Sequence, residues 1–365
     1  MSTVRDVMNE MERFAPSALK EDFDNVGLLL GDANAEVKGV LVTLDITEKV
    51  IDEAIQNECN MIVSHHPIML SGLKKITGKN DMERVVLKSI KNDIAIYASH
   101  TNADSVMNGV SGRMCKKLKL KKCKILSPKK ESLVKLVVFV PVNHAEELRK
   151  AIFEAGAGVI GEYDSCSFNV IGQGTFKAGE TTDPFVGKKG ELHREEEVRI
   201  ETIMPSFIEK KVVGEMIKAH PYEEVAYDIY PLRNQWATAG IGMIGELEYP
   251  VDELDFLNKV KEEFKVGCIR HTNLLNKKVK KVAVCGGSGS FLLGAAIAQN
   301  ADVFITGDFK YHQFFDAEEQ IIIADIGHFE SEQYTKEVFF ELLTKKFSNF
   351  AVRLSKENTN PVNYL

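Results

Sequence analysis

The chain has 365 residues, a formal net charge of −7, and a composition of 44% hydrophobic and 27% charged residues. That length exceeds what one hydrophobic core usually serves, so two domains are expected, and the composition excludes a disordered chain. No apolar run approaches the about 20 residues of a membrane span, the opening MSTVRDVMNEMERF carries acids where a signal peptide would be apolar, and net acidity argues against nucleic acid as a partner, so a cytoplasmic protein is expected.

Read in chain order, residues 38–45 form a strand rich in β-branched side chains, and the run from Thr47 forms an amphipathic helix opened by a threonine cap. Short apolar strands follow at Met61 (MIVSHH) and Ile94 (IAIYASHT), with the helical MERVVLKSIKN between them. This alternation predicts a largely parallel sheet covered on both faces. The basic run Lys116 to Lys130 reads as a solvated helix end leading into a linker. From about Leu133 the texture changes to strand, helix, strand, a Gly- and charge-rich hairpin region, strand, helix, strand, which is the split-βαβ, ferredoxin-like order. Its expected seams are SPKKES around Pro128 and RNQWATAGIG around Trp236. The last third returns to β/α alternation through KVAVCGG, ADVFITGD and IIIADIG, and ends in a long helix from about Phe329 to Ser348. The fold class is therefore α/β: a discontinuous domain with mainly parallel sheets, from 1–128 and 237–365, interrupted by an inserted α+β ferredoxin-like domain over 129–236.

The six cysteines (Cys59, Cys115, Cys123, Cys166, Cys268, Cys285) include no CxxC pair, so free thiols are expected. Metal chemistry points instead to histidine and carboxylate. His65 and His66 come directly after an apolar strand, where ligands gather in α/β sheets, and Pro67 fixes the turn that presents them. Neighbouring side chains on an extended backbone diverge, so the two imidazoles suit two ions better than one. The strand ending ASHTNAD brings His100, Thr101, Asn102 and Asp104 to the same edge, and IIIADIGHFESE brings His328 and Glu332, four apart on one helix face. Each motif alone is common. Three strands of one sheet, each apolar until its end and each ending in imidazole or carboxylate, point to a metal site.

Five candidate ligands, His65, His66, Asp104, His328 and Glu332, exceed what one catalytic ion with an open position takes, but serve two divalent ions if a carboxylate bridges. Imidazole plus carboxylate without thiolate suits zinc, iron or manganese. A pair of ions about 3.5–4 Å apart is a hydrolytic device that activates a shared water to a hydroxide nucleophile near neutral pH. Asp45 and Asp308 end strands at the same edge and could orient ligands, and His100 and His312 are candidates for proton transfer. CGGSGS from Cys285 resembles a phosphate-cradling loop without its lysine, and a tight strand-to-helix turn is its expected role. No organic cofactor is called for.

The segments FDNVGLLLG, LDIT, SHHP, HTNAD, CGGSGS, ITGDFKYHQ and GHFESE together closely resemble the NIF-three-like family, also described as GTP cyclohydrolase type 2 homologues. The resemblance implies a dinuclear metal protein in which His66 and Asp104 hold one ion, His65 and His328 the other, and Glu332 bridges. It also implies a toroidal homohexamer, and an insert similar to small trimeric signalling and copper-tolerance proteins. Phe23 and Ala103 stand where Trp and Leu are common, and neither is a ligand. Two functions follow as expectations. One is a metal-dependent hydrolase of a nucleotide or related heterocycle, with GTP ring opening as the named candidate; the other is a metal-binding regulatory or scaffold protein without turnover.

Overall fold

A computed structural model describes residues 1–365. The chain separates into two compact units, one made of Met1–Pro128 with Thr238–Leu365 and the other of Lys129–Ala237. No helix is long and apolar enough to cross a membrane.

The outer unit holds two sheets, and the three strands expected to carry the ligands in one sheet are divided between them. The first has five strands in the order Gly27–Leu30, Ala95–Ala98, Met61–Ser64, Gly39–Thr43 and Ala351–Leu354. All its pairings are parallel except that of Gly27–Leu30 with Ala95–Ala98. Its three central strands are buried on both faces, which is why they read as unbroken apolar runs. Val40, Val42, Val63 and Tyr97 pack against Val7 and Met11 of the helix Val4–Phe14 and against Phe339 of the helix Thr335–Lys346. On the opposite face, Leu41, Ile62 and Ile96 pack against Val50, Ile51 and Val85 of the helices Glu48–Gln56 and Asp81–Lys91. Thr47 caps the first of these, its side chain accepting from Val50 N at 3.4 Å. Phe339 is fully buried at this junction, and Phe339→Ala would cost about 3–5 kcal/mol.

The second sheet runs Arg270–His271, Ile322–Asp325, Val303–Gly307, Lys278–Ser288, Trp236–Asp252, Lys121–Lys129, with a parallel centre and antiparallel flanks. The basic run expected to be a helix end and linker contributes the edge strand Lys121–Lys129. Its lysines suit that place, because charge on an exposed edge blocks pairing with another chain. Lys122 pairs with Glu246 at 3.2 Å and the Lys117 ammonium lies over the Tyr334 ring. The long terminal helix is in fact two helices, His328–Glu332 and Thr335–Lys346.

The inserted unit is a single antiparallel sheet in the order Ser167–Lys177, Leu192–Pro205, Leu133–Pro141, Tyr227–Leu232. With the helices Ala145–Glu154 and Glu209–Ala219 this is the ferredoxin-like arrangement. Leu136, Val138, Val140, Val198 and Ile200 of the sheet pack against Leu148, Ile152, Val212 and Met216 of the helices.

Candidate metal centre

Strand ends of both sheets in the outer unit supply the polar cluster. His65 and His66 follow Ser64, and their backbone N–H groups donate to Thr43 O and Leu44 O at 3.3 and 2.9 Å. The dipeptide thus continues the ladder, but its rings converge rather than diverge as an ideal extended backbone would have them, with centroids 4.9 Å apart and planes tilted by 45°. Asp104 closes the one-turn helix Thr101–Asp104, and His328 and Glu332 are the first and last residues of a one-turn helix entered through Gly327.

The four imidazoles share one orientation. Each engages Nδ1 in the protein frame: His65 with Ser99 O (3.0 Å), His66 with Asp45 (2.7 Å), His100 with Asp24 (2.9 Å) and His328 with Asp308 (2.6 Å). That fixes the ring and presents Nε2 to the centre, the arrangement by which carboxylate and carbonyl partners orient metal-binding histidines. Asp308 does so from a left-handed backbone (φ 60°), which aspartate tolerates.

Three overlapping sets of three donors result, one of them His65, His66 and His100 and the other two sharing Glu332. His66 Nε2 and His328 Nε2 lie 3.0 and 3.1 Å from Glu332 Oε2 and 3.4 Å from each other. The edge of a tetrahedron around an ion with bonds of about 2.0–2.1 Å is about 3.3 Å, so these atoms sit where ligands of one ion would. His65 Nε2 lies 3.7 Å from Glu332 Oε1 and 3.8 Å from Asp104 Oδ1, forming the other Glu332 set. Glu332 gives one oxygen to each of these two. The grouping differs from the one implied by resemblance, since His65 stands with Asp104 and His66 with His328. His65 Nε2 and Asp104 Oδ1 are buried without a hydrogen-bond partner, and Glu332 Oε2 is buried with only the His66 and His328 imidazoles beside it. Such groups are costly unless something satisfies them, so the residues fit divalent cations.

Electrostatics agree. Burial opposes charge on His66, but hydrogen bonds with Asp45 and Glu332 raise its pKa to about 10, and the same opposition with Asp308 and Glu332 raises His328 to about 11. Burial and the Glu332 charge push the Asp104 carboxyl up to about 7. Glu332 itself, against its burial, is held well below the ordinary value by the surrounding imidazoles. The cluster thus retains protons where cations would supply the same charge.

The structure brings together His65, His66, Asp104, His328 and Glu332, with Asp45, Asp308 and His100 around them. His312 stands apart, exposed on the turn Tyr311–Ala317 with its ring against Tyr311 and Phe315. The CGGSGS segment does something the sequence did not suggest. A Cβ at Gly287, where φ is 61°, would collide with Glu332 Oε1 and lie 3.2 Å from His328 Cε1, so glycine lets this strand end abut the centre. Asp24 was also missed; it is buried, and besides His100 it accepts from Thr101 N at 3.0 Å. A carboxylate in the turn before GLLL was its only sequence signal.

A cavity of about 660 Å³ opens beside the cluster, with His66, His328, Asp45 and Asp308 on one side and Arg270 and Tyr364 on its walls. The Arg270 guanidinium is ion-paired with Asp325 and donates to Phe309 O at 3.0 Å.

Comparison with known proteins gives a family match to Duf34/NIF3 (NGG1p interacting factor 3) over residues 2–361. A Halalkalibacterium halodurans protein named GTP cyclohydrolase 1 type 2 homolog is 42% identical, covering 98% of both chains. A Bacillus subtilis protein of the same name is 40% identical with the same coverage. Among solved structures, a Bacillus cereus protein related to NIF3 superposes with a TM-score of 0.87 at 40% identity, covering 100% of this chain and 99% of that one.

Proposed function

The chain belongs to the Duf34/NIF3 family, and from that premise we propose that it is a two-metal hydrolase acting on a nucleotide or related heterocycle, with GTP as the first candidate. One observation carries the reading: orphaned donor atoms of His65 and Asp104 are buried with the Glu332 carboxylate beside an open cavity. We assign one ion to His65, Asp104 and Glu332 Oε1, and the other to His66, His328 and Glu332 Oε2, with zinc, iron or manganese as the candidates.

Two such ions, when bound, lower the pKa of water and polarise a carbonyl-like or phosphoryl group. The chain's own groups prepare that chemistry. Ser99 O, Asp45 and Asp308 lock His65, His66 and His328 in the tautomer that leaves Nε2 free for a ligand bond. His100, whose ring lies 5.2 Å from those of His65 and His66, has Nδ1 held by Asp24, which leaves its Nε2 to carry a proton or to serve as a further ligand. Arg270 lines the cavity wall with its guanidinium already paired to Asp325, so a negatively charged substrate would share that cation with the carboxylate. A homohexamer is the assembly expected for this reading.

Incubating protein loaded with zinc, iron or manganese with a panel of nucleoside triphosphates, and assaying formate and phosphate, tests the proposal. Release should occur with at least one nucleotide, and Glu332→Ala should abolish it. No turnover by any loaded form would leave metal holding without hydrolysis as the function.

A further inference from the structure

The last residues of the chain reach the cluster by a route that the strand order dictates. Ala351–Leu354 pairs in parallel with Gly39–Thr43, so the chain leaves the sheet at the same edge as Leu44 and Asp45. It is tied there rather than free. Ser355 N donates to Val42 O at 2.8 Å, Ser355 Oγ and Lys356 N donate to the Glu53 carboxylate at 2.5 and 2.8 Å, and Asn360 Nδ2 donates to Glu330 Oε1 at 3.0 Å. Asn358 and Asn360 accept from backbone N–H groups two residues on, at 3.1 and 3.0 Å, which fixes the intervening turns.

Two contacts turn this tie into something more than an anchor. Thr359 Oγ1 donates to Asp45 Oδ2 at 2.5 Å, while Asp45 Oδ1 receives His66 Nδ1 at 2.7 Å. One carboxylate therefore has an oxygen fixed by the tail and the other fixed on a metal-type imidazole. The residues after Thr359 then form a wall of the 660 Å³ cavity: Asn360, Pro361, Val362 and Tyr364 all line it. Tyr364 is seated where Gly267 and Gly327 leave room, since a Cβ at either would lie 3.2 Å from the tyrosine.

We propose that segment 359–364 is a working part of the metal pocket, in which Thr359 is a positioning residue that sets His66 through Asp45 and the following residues close one side of the cavity. This rests on the reading of the cluster as a metal centre. Without the hydroxyl, the Asp45 carboxylate can rotate about its side-chain bonds, and His66 loses the fixed partner that defines its ring plane. Loss of an outer partner of a metal-binding histidine typically lowers affinity about 10–100-fold. Because Asp45 itself remains after a Thr359 substitution, the lower end is expected.

The experiment uses the full chain, cobalt(II) as the probe ion, and three variants: Thr359→Val, Thr359→Ser and a chain ended at Asn358. Competition titration against a chromophoric chelator reads the two affinities, and the visible absorption of bound cobalt reads coordination geometry. Wild type should take up two ions. Thr359→Val and the shortened chain should bind one of them about 10-fold more weakly, with an altered spectrum, and leave the other unchanged. Thr359→Ser should restore the wild-type titration and spectrum, a rescue that a purely structural tail would not need. If Thr359→Val and the shortened chain both titrate as wild type does, the positioning role is wrong. If wild type takes up no cobalt, the metal reading falls, and this proposal with it.

Discussion

In the insert, Thr202 and His220 are the buried polar side chains, and each has a partner: Thr202 Oγ1 donates to Cys166 O and His220 Nε2 to Phe139 O, both at 2.8 Å. In the outer unit, His65 Nε2, Ser99 Oγ, Asn102 Oδ1, Asp104 Oδ1 and Thr335 Oγ1 are buried with none. An orphaned buried polar group costs about 1–3 kcal/mol, more when charged. A fold retains several together only where another contribution offsets them, so the contrast marks the outer unit as the one organised around a ligand and the insert as one organised around its own core. The insert does hold a cavity of about 600 Å³ with Phe139, Phe176, Phe185 and Tyr222 on its walls, but no cluster of metal-type donors lies there.

The contrast is broken most directly by removing the shared carboxylate. Glu332→Ala takes a donor from both sets that share it, so elemental analysis should fall from two ions per chain to none. Full retention would show that the grouping is wrong. With wild type, saturating metal should stabilise the outer unit by about 2.7 kcal/mol per site at a hundredfold excess over Kd. The insert can be followed through Trp236, the single tryptophan of the chain, which opens the strand Trp236–Asp252 at the seam and has its ring against Phe207 of the insert. Its unfolding by fluorescence should not move with metal; an equal shift in both transitions would mean that the units unfold as one.

A smaller effect is expected at Gly287. An alanine there must displace the Glu332 carboxylate and adopt φ 61°, so metal affinity should drop about 10-fold or more, with a loss of about 1–3 kcal/mol in the metal-free protein. Unchanged affinity, measured by chelator competition, would show that the Glu332 carboxylate can move aside without losing either ion.

What the sequence disclosed follows the same division. The insert's six elements were legible because each is a local run with its own period, although its strand Leu133–Pro141 pairs with the non-consecutive strands Leu192–Pro205 and Tyr227–Leu232. The five ligand candidates were legible because each stands just past an apolar run. The division of strands between sheets was not, since periodicity marks a strand without saying which strand it joins: Ile322–Asp325 proved to lie in a different sheet from Met61–Ser64. Asp24 and Thr359 lie in loops brought to the site by pairings with partners 70 or more residues away, Gly27 with Ala98 and Leu354 with Val42, and nothing in their own neighbourhoods announces them. Gly287 failed for a related reason, because a glycine kept for close approach looks in sequence like one kept for a turn.

The smallest effect belongs to His220, which tests the claim that the insert's buried polar groups serve stability alone. Its ring is wedged between two backbone groups, with Nε2 donating to Phe139 O and Nδ1 accepting from Tyr222 N at 3.1 Å, a pairing that requires the neutral form. Burial lowers its pKa below the ordinary 6.5, the bond to Phe139 O offsets this in part, and charge on His144 adds to the lowering. As pH falls, the unfolded chain therefore takes up the proton first. Between the unfolded and folded pKa values the unfolded state holds more protons, so stability is full above about pH 6.5 and declines as pH drops through and below it. The urea midpoint of the insert, followed by Trp236, should fall on acidification from pH 7.5 to 5.5 by more in wild type than in His220→Gln, which has no proton to gain. An equal or smaller fall in wild type would mean that His220 accepts its proton without disturbing the insert, and the contrast between the units would then rest on the metal cluster alone.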